Sequence, residues 1–179
     1  MQNKLVIIQC VKKKVWNDDR SCDACIESEN AYVSLYFKKM KEHVLKIIKP
    51  KKWLIFSAEF GLITPDYKVC AYNTTYLDSK TNPLPKAEME RRISSQIINI
   101  GSGKEEFKKV GEVNNGKEEK INYSEYDEIV ILAGKKYIEK IMEPLLKLNK
   151  NVITPFQDNK LGGIGYINGW LKEQIEKYG

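Results

Sequence analysis

An α/β fold is what this sequence predicts: three layers, with a mostly parallel four-stranded sheet carrying helices on both faces and a β-hairpin or mobile loop inserted late in the chain. Three observations carry that expectation. Four short runs, Leu5 to Gln9, Trp53 to Ser57, Ile129 to Ala133 and Asn151 to Thr154, are almost continuously apolar rather than alternating, as strands buried on both faces are. Segments of helical period stand between them. At 179 residues the chain fits a single domain spanning 1–179, large enough to bury a core.

Each element follows from its residues. Strand-forming LVIIQ opens the chain, and from Asn30 to Lys49 the residues Val33, Phe37, Met40, Val44 and Ile47 recur at steps of three and four until Pro50 stops the helix. WLIFS is the second strand. Pro85 suits the first turn of a helix reaching Ile100, with Met89, Ile93 and Ile97 on one face. Lys135 to Asn149 is a third helix that Pro144 should bend or divide, and Tyr166 to Tyr178 a fourth, with Ile167, Trp170, Leu171 and Ile175 inward. The interval 101–126 breaks the rhythm: it is rich in Gly, Asn, Lys and Glu, and Asn115-Gly116 is a hairpin signal. Strands alternating with helices imply right-handed crossovers.

Composition excludes some classes of function. Hydrophobic residues at 42 % and charged residues at 30 % are the balance of a globular protein, no apolar run reaches the ~18 residues of a membrane span, and MQNKLVIIQC lacks the features of a signal peptide. The expectation is a cytoplasmic protein with no membrane partner, in an oligomeric state the sequence leaves open. A net charge of +6 favours polyanions, although lysine-rich solvated faces give the same surplus. Cys10, Cys22, Cys25 and Cys70 are expected as thiols or metal ligands rather than structural disulfides. Cys22-x-x-Cys25 has metal-knuckle spacing, but reduced thiols and no metal or cofactor are the expected state. His43, mid-helix, reads as a structural histidine, which removes most Ser-His and Cys-His nucleophile schemes.

In open parallel sheets ligands bind beyond the carboxyl ends of the strands. That rule selects Cys10-Val11-Lys12-Lys13-Lys14 after the first strand, Ser57-Ala58-Glu59-Phe60-Gly61 after the second, Gly134-Lys135-Lys136-Tyr137 after the third, and Pro155 through Gly165, with Gly162, Gly163 and Gly165, after the fourth. Glu59 is open to reading as a general base, a metal ligand or a hydrogen-bond acceptor, or as the anchor of a local turn. The lysines contact a ligand or are surface charge. The late glycines offer backbone donors to an anion or form a plain turn into the last helix.

Taken together, Cys10-x-x-Lys13-Lys14, Tyr32-x-Ser34-x-x-Phe37, SAEFGLITP followed by Tyr72 and Tyr76, ILAGKKY and the closing Gly-Ile-Gly resemble an uncharacterised bacterial and phage domain family, over nearly the whole chain apart from 101–126. More remotely, the Ser-Ala-x-Phe-Gly-Leu element is similar to a segment of the peroxide-stress YaaA family, which implies DNA binding. The Cys-Lys-Tyr-x-Ser series is similar to part of archaeosine synthase, which implies a base in transfer RNA. The expected sheet order also resembles the uracil-DNA glycosylase fold, whose Asp-Pro and His-Pro-Ser signatures this chain lacks. The resemblance implies a protein directed at nucleic acid or nucleotides, as an enzyme of nucleobase modification or removal, or as a non-enzymatic DNA-binding stress or phage-defence module. In the enzyme reading Ser57 and Glu59 are catalytic, Tyr32, Ser34 and Tyr72 orient the base, Lys13 and Lys14 meet phosphate, and Gly61 sets the turn.

Overall fold

The computed structural model describes residues 2–18, 25–101 and 117–179. In chain order its strands are β1 (Gln2–Gln9), β2 (Ile26–Glu27), β3 (Pro50–Ser57), β4 (Gly61–Ile63), β5 (Lys68–Val69), β6 (Ile97–Ile100), β7 (Lys117–Lys120), β8 (Glu128–Leu132) and β9 (Val152–Ile153). The α-helices are α1 (Val15–Asp18), α2 (Ser28–Ala31), α3 (Leu35–His43), α4 (Lys86–Ser94), α5 (Lys135–Leu148), α6 (Pro155–Asp158) and α7 (Ile164–Tyr178).

The main sheet has seven strands in the order β7-β6-β4-β3-β1-β8-β9. The expectation of four is therefore corrected. The fold class holds: the β1–β3, β1–β8, β4–β6 and β8–β9 pairs are parallel, and β3–β4 and β6–β7 are antiparallel. Central β1 places Val6 opposite Trp53 of β3 on one side and Val130 of β8 on the other. Leu5 through Ile8 are fully buried, which is why that run lacks alternation. Around the sheet, α3 packs against α7 and α4 against α5.

The sequence misses strands where antiparallel pairing is too short to leave a pattern. After Ser57 the chain turns back at once, and Ser57 faces Gly61 across a tight β3–β4 hairpin. Gly61 takes φ +77°, a conformation that side-chain-bearing residues avoid. The helix expected to reach Ile100 ends at Ser94, because Gln96 adopts φ +57° and the β-branched Ile97-Ile98-Asn99-Ile100 run pairs with β4 and β7. Ile97 thus lies on a strand and not on a helix face. The β6–β7 pair is the antiparallel base of the expected insertion, while the Asn115-Gly116 turn lies outside the described residues.

Helix expectations are corrected in two places. The Asn30 to Lys49 run divides at Tyr32–Ser34 into α2 and α3, and continues from α3 into a π-helical turn, Val44–Ile48, ended by Lys49 in the left-handed region. By contrast, α5 runs unbroken through Pro144.

The cysteine expectation is overturned. Antiparallel pairing of β2 with β5 sets Ile26 opposite Val69, so the flanking Cys25 and Cys70 also meet, and they form a disulfide. Cys22 lies outside the described residues and Cys10 is a buried free thiol. Among the described residues no cluster of three metal-ligating side chains exists, and no helix is long and apolar enough to cross a membrane.

Candidate functional site

A cavity of about 350 Å³ opens at the carboxyl ends of the central strands. Gln9, Cys10, Lys12 and Lys13 reach it from the end of β1, Ser34 and Tyr36 from the start of α3, and Tyr137 from the first turn of α5 after β8. Thr75 and Leu77 come from the loop beyond β5, and Ile164 and Asn168 from the start of α7. Residues more than 150 positions apart therefore share one wall: β1 and β8 are neighbours in the sheet, which brings Cys10 to Tyr137, and α7 packs on α3, which adds Ile164 and Asn168.

The polar groups of this wall are mostly held in place by one another. The Cys10 thiol lies 3.4 Å from the Tyr137 hydroxyl, which is in turn 3.5 Å from Thr75 Oγ1. Burial pushes the Cys10 thiol up, against the opposing pull of the Tyr137 hydrogen bond and the Lys14 charge, so at neutral pH it is a protonated thiol rather than a nucleophilic thiolate. Burial likewise raises the Tyr137 phenol and keeps it protonated. Gln9 Oε1 accepts from the Gly134 amide at 2.6 Å, fixing the β8–α5 turn to the end of β1. Ser34 caps α3 by accepting from the Phe37 amide at 3.1 Å. One acceptor is different: Asn168 Oδ1 is buried and has no hydrogen-bond partner among the described residues.

Behind the cavity runs a chain of hydroxyls. Tyr32 and Tyr72 share a 2.6 Å hydrogen bond, and the Tyr72 hydroxyl is 3.3 Å from Ser57 Oγ. Ser57 Oγ also accepts from the Glu59 and Phe60 amides, both at 3.2 Å. Lys14, almost wholly buried, places Nζ 4.2 Å from the Tyr72 ring centroid and donates to the Lys12 carbonyl at 3.2 Å. Burial lowers its pKa, while the nearby Cys10 and Glu59 act the other way. Glu59 itself stands exposed on the hairpin turn, where its Oε2 accepts from the Thr74 hydroxyl.

Of the residues selected from sequence, Cys10, Lys13 and Ser34 line the cavity, while Lys14, Tyr32, Tyr72, Ser57 and Glu59 form the framework behind it. Gly61 is the first residue of β4 and sets its hairpin. Gly134 lies outside the cavity lining but ties two lining residues together, donating its amide to Gln9 Oε1 and accepting from the Tyr137 amide at 3.0 Å, and Lys135 is exposed beside Glu139. Gly162, Gly163 and Gly165 have open space around them and flank Ile164, which does line the cavity. Sequence reasoning missed Gln9, Thr75 and Asn168 as lining residues, and it placed Tyr137 in the segment after the third strand without giving it a role. For Tyr137 a signal existed, since it closes the ILAGKKY motif immediately after a strand. For Thr75 and Asn168 there was none, because nothing local distinguishes them from loop and helix polarity.

No curated protein and no solved structure matches the chain. A family model does match, from within β1 to within α7, so the chain belongs to the family of unknown function DUF6884, over residues 5–173.

Proposed function

We propose that this is a nucleotide- or nucleic-acid-directed protein that takes a base into the carboxyl-edge cavity. The observation that carries the reading is where that cavity lies. From β1 the chain goes to its parallel neighbour β3, and from β8 to β9, in opposite directions along the sheet. Right-handed crossovers then put the two connections on opposite faces, which leaves a crevice between the ends of β1 and β8, the switch point at which open sheets bind ligands. A volume of about 350 Å³ lies within the ~300–1,000 Å³ of small-molecule sites.

The wall suits a base better than an isolated anion. Tyr36 offers a ring, Tyr137 and Asn168 polar side chains set into the wall, and Lys12 and Lys13 positive charge for phosphate. Cys10 and Tyr137, both protonated and paired with each other, form the floor of the cavity rather than a source of acid chemistry. Ser57 and Glu59 then serve as positioning residues: they hold the β3–β4 turn and Thr74, whose neighbour Thr75 reaches Tyr137.

Calorimetric titration with the common nucleoside monophosphates tests the reading. Binding is expected for at least one of them, weakened about 10-fold by Asn168→Leu and by Tyr137→Phe, with little change in thermal transition. No binding by any nucleotide, or binding indifferent to both substitutions, overturns it. A second reading, a non-enzymatic binding module, is favoured by the protonated state of Cys10. It predicts the same binding with no change in the bound nucleotide on prolonged incubation.

A further inference from the structure

The mouth of the cavity carries a feature that a free nucleotide does not require. Among the described residues the exposed large hydrophobic side chains include Leu35, Leu77 and Ile164, at 61 %, 59 % and 60 % exposure, and all three line this cavity. These side chains come from three separate elements, α3, the loop at 77 and α7, so their gathering is a product of the fold and not of one apolar segment. Exposed apolar groups collected at one rim mark a surface that is covered in use.

Charge indicates what covers it. Among the described lining residues the charged ones are Lys12 and Lys13, with no carboxylate, and Lys135 and Lys136 open α5 just before Tyr137 on the same edge. An apolar rim around a base-sized hole, bordered by positive charge, is complementary to a polynucleotide strand: phosphates meet lysines, one base enters, and its neighbours lie against the rim.

Resting on the reading above, we infer that the ligand is an unpaired base within a single strand of nucleic acid, with Leu35, Leu77 and Ile164 packing against the flanking bases. Single-stranded substrate is the form in which a base reaches a recessed pocket without unstacking a duplex.

The test compares ~12-nucleotide homopolymeric single strands with the corresponding monophosphates, on the whole chain, by polarisation and calorimetry. The wild type is expected to bind the best strand at least ~10-fold tighter than the matching monophosphate, and the Leu77→Ser/Ile164→Ser double variant to weaken strand binding ~10-fold more than monophosphate binding. Both positions are exposed, so the variant folds. Monophosphate binding with no preference for the strand overturns this inference and leaves the cavity reading standing. Binding of neither overturns both. A double variant that keeps its strand affinity but loses self-association in sedimentation assigns the rim to a second copy of the chain, which also overturns the inference.

Discussion

His43 shows how the fold disposes of an ionisable side chain it does not use. Its ring packs 5.4 Å from that of Trp170, at the contact of α3 with α7, and its Nδ1 is buried with no hydrogen-bond partner among the described residues. The structural role expected from the sequence is there, but with that nitrogen unpaired. Burial lowers its pKa to about 4, against an ordinary value near 6.5. Above pH 6.5 both folded and unfolded chains are neutral at this position. As pH falls from 6.5 toward 4 only the unfolded chain takes up the proton, so stability is lost across that window, by about 1–3 kcal/mol. Glu88, held at about 2 by hydrogen bonds to Arg91 and Arg92, loses its contribution only below the ordinary carboxylate range, so the two effects separate. His43→Leu is expected to flatten the denaturant midpoint between pH 6.5 and 4 and to cost nothing at pH 7.5. A slope the same as wild type would show that the ring already has access to water.

At the scale of elements, the ribbon of β2 and β5 is the clearest case of a small unit stabilised by a covalent link. It contributes two residues per strand and lies outside the main sheet, yet it launches the segment carrying Tyr72, Thr74 and Thr75 toward the site. The Cys25–Cys70 disulfide closes 45 residues, which in a chain-entropy account stabilises by about 4 kcal/mol. Reduction, or Cys70→Ser, should therefore lower unfolding stability by roughly 2–4 kcal/mol in guanidinium titration, and weaken nucleotide binding through the tilt of Thr75. An unchanged midpoint under reducing conditions would mean that the ribbon is held by packing alone. The sequence could not show this pairing, because disulfide partners are set by the register of two-residue strands that have no periodic signature. The central strands were legible for the opposite reason: burial on both faces writes a continuous apolar run, and β1, β3 and β8 were found that way, while β9, a half-buried edge strand, was found from its apolar residues alone. Helices were legible in their faces but not in their ends. Gln96 and Lys49 adopt left-handed backbone with side chains that give no warning of it. In the site, motif residues such as Cys10 and Ser34 were visible, whereas Ser57 stood out for chemistry yet accepts from two amides of the hairpin turn and Glu59 bonds Thr74, since a turn needs the same polar groups as a pocket.

For the whole molecule, a net charge of +6 favours the approach of a polyanion, and the salt dependence of binding counts the cations that actually meet phosphate. If two to four lysines at the cavity edge meet phosphates, strand affinity should fall roughly 7- to 50-fold between 50 and 200 mM salt. A steeper loss, 1,000-fold or more, would place the binding on a broad lysine surface instead of this mouth.

The position of β1 constrains how the molecule is made. This strand begins at Gln2 and has β3 and β8 as its two neighbours, the latter ending at Leu132. On a ribosome, one flank of the first strand must wait unpaired while the ~75 residues after Ser57 are synthesised, roughly 4–15 s at usual translation rates. Throughout that delay its LVIIQ backbone presents open donors and acceptors to any passing chain. Slow codons before residue 132 would prolong that exposure and raise the yield of insoluble product, and chaperone contacts would lower it, without altering any contact in the finished protein.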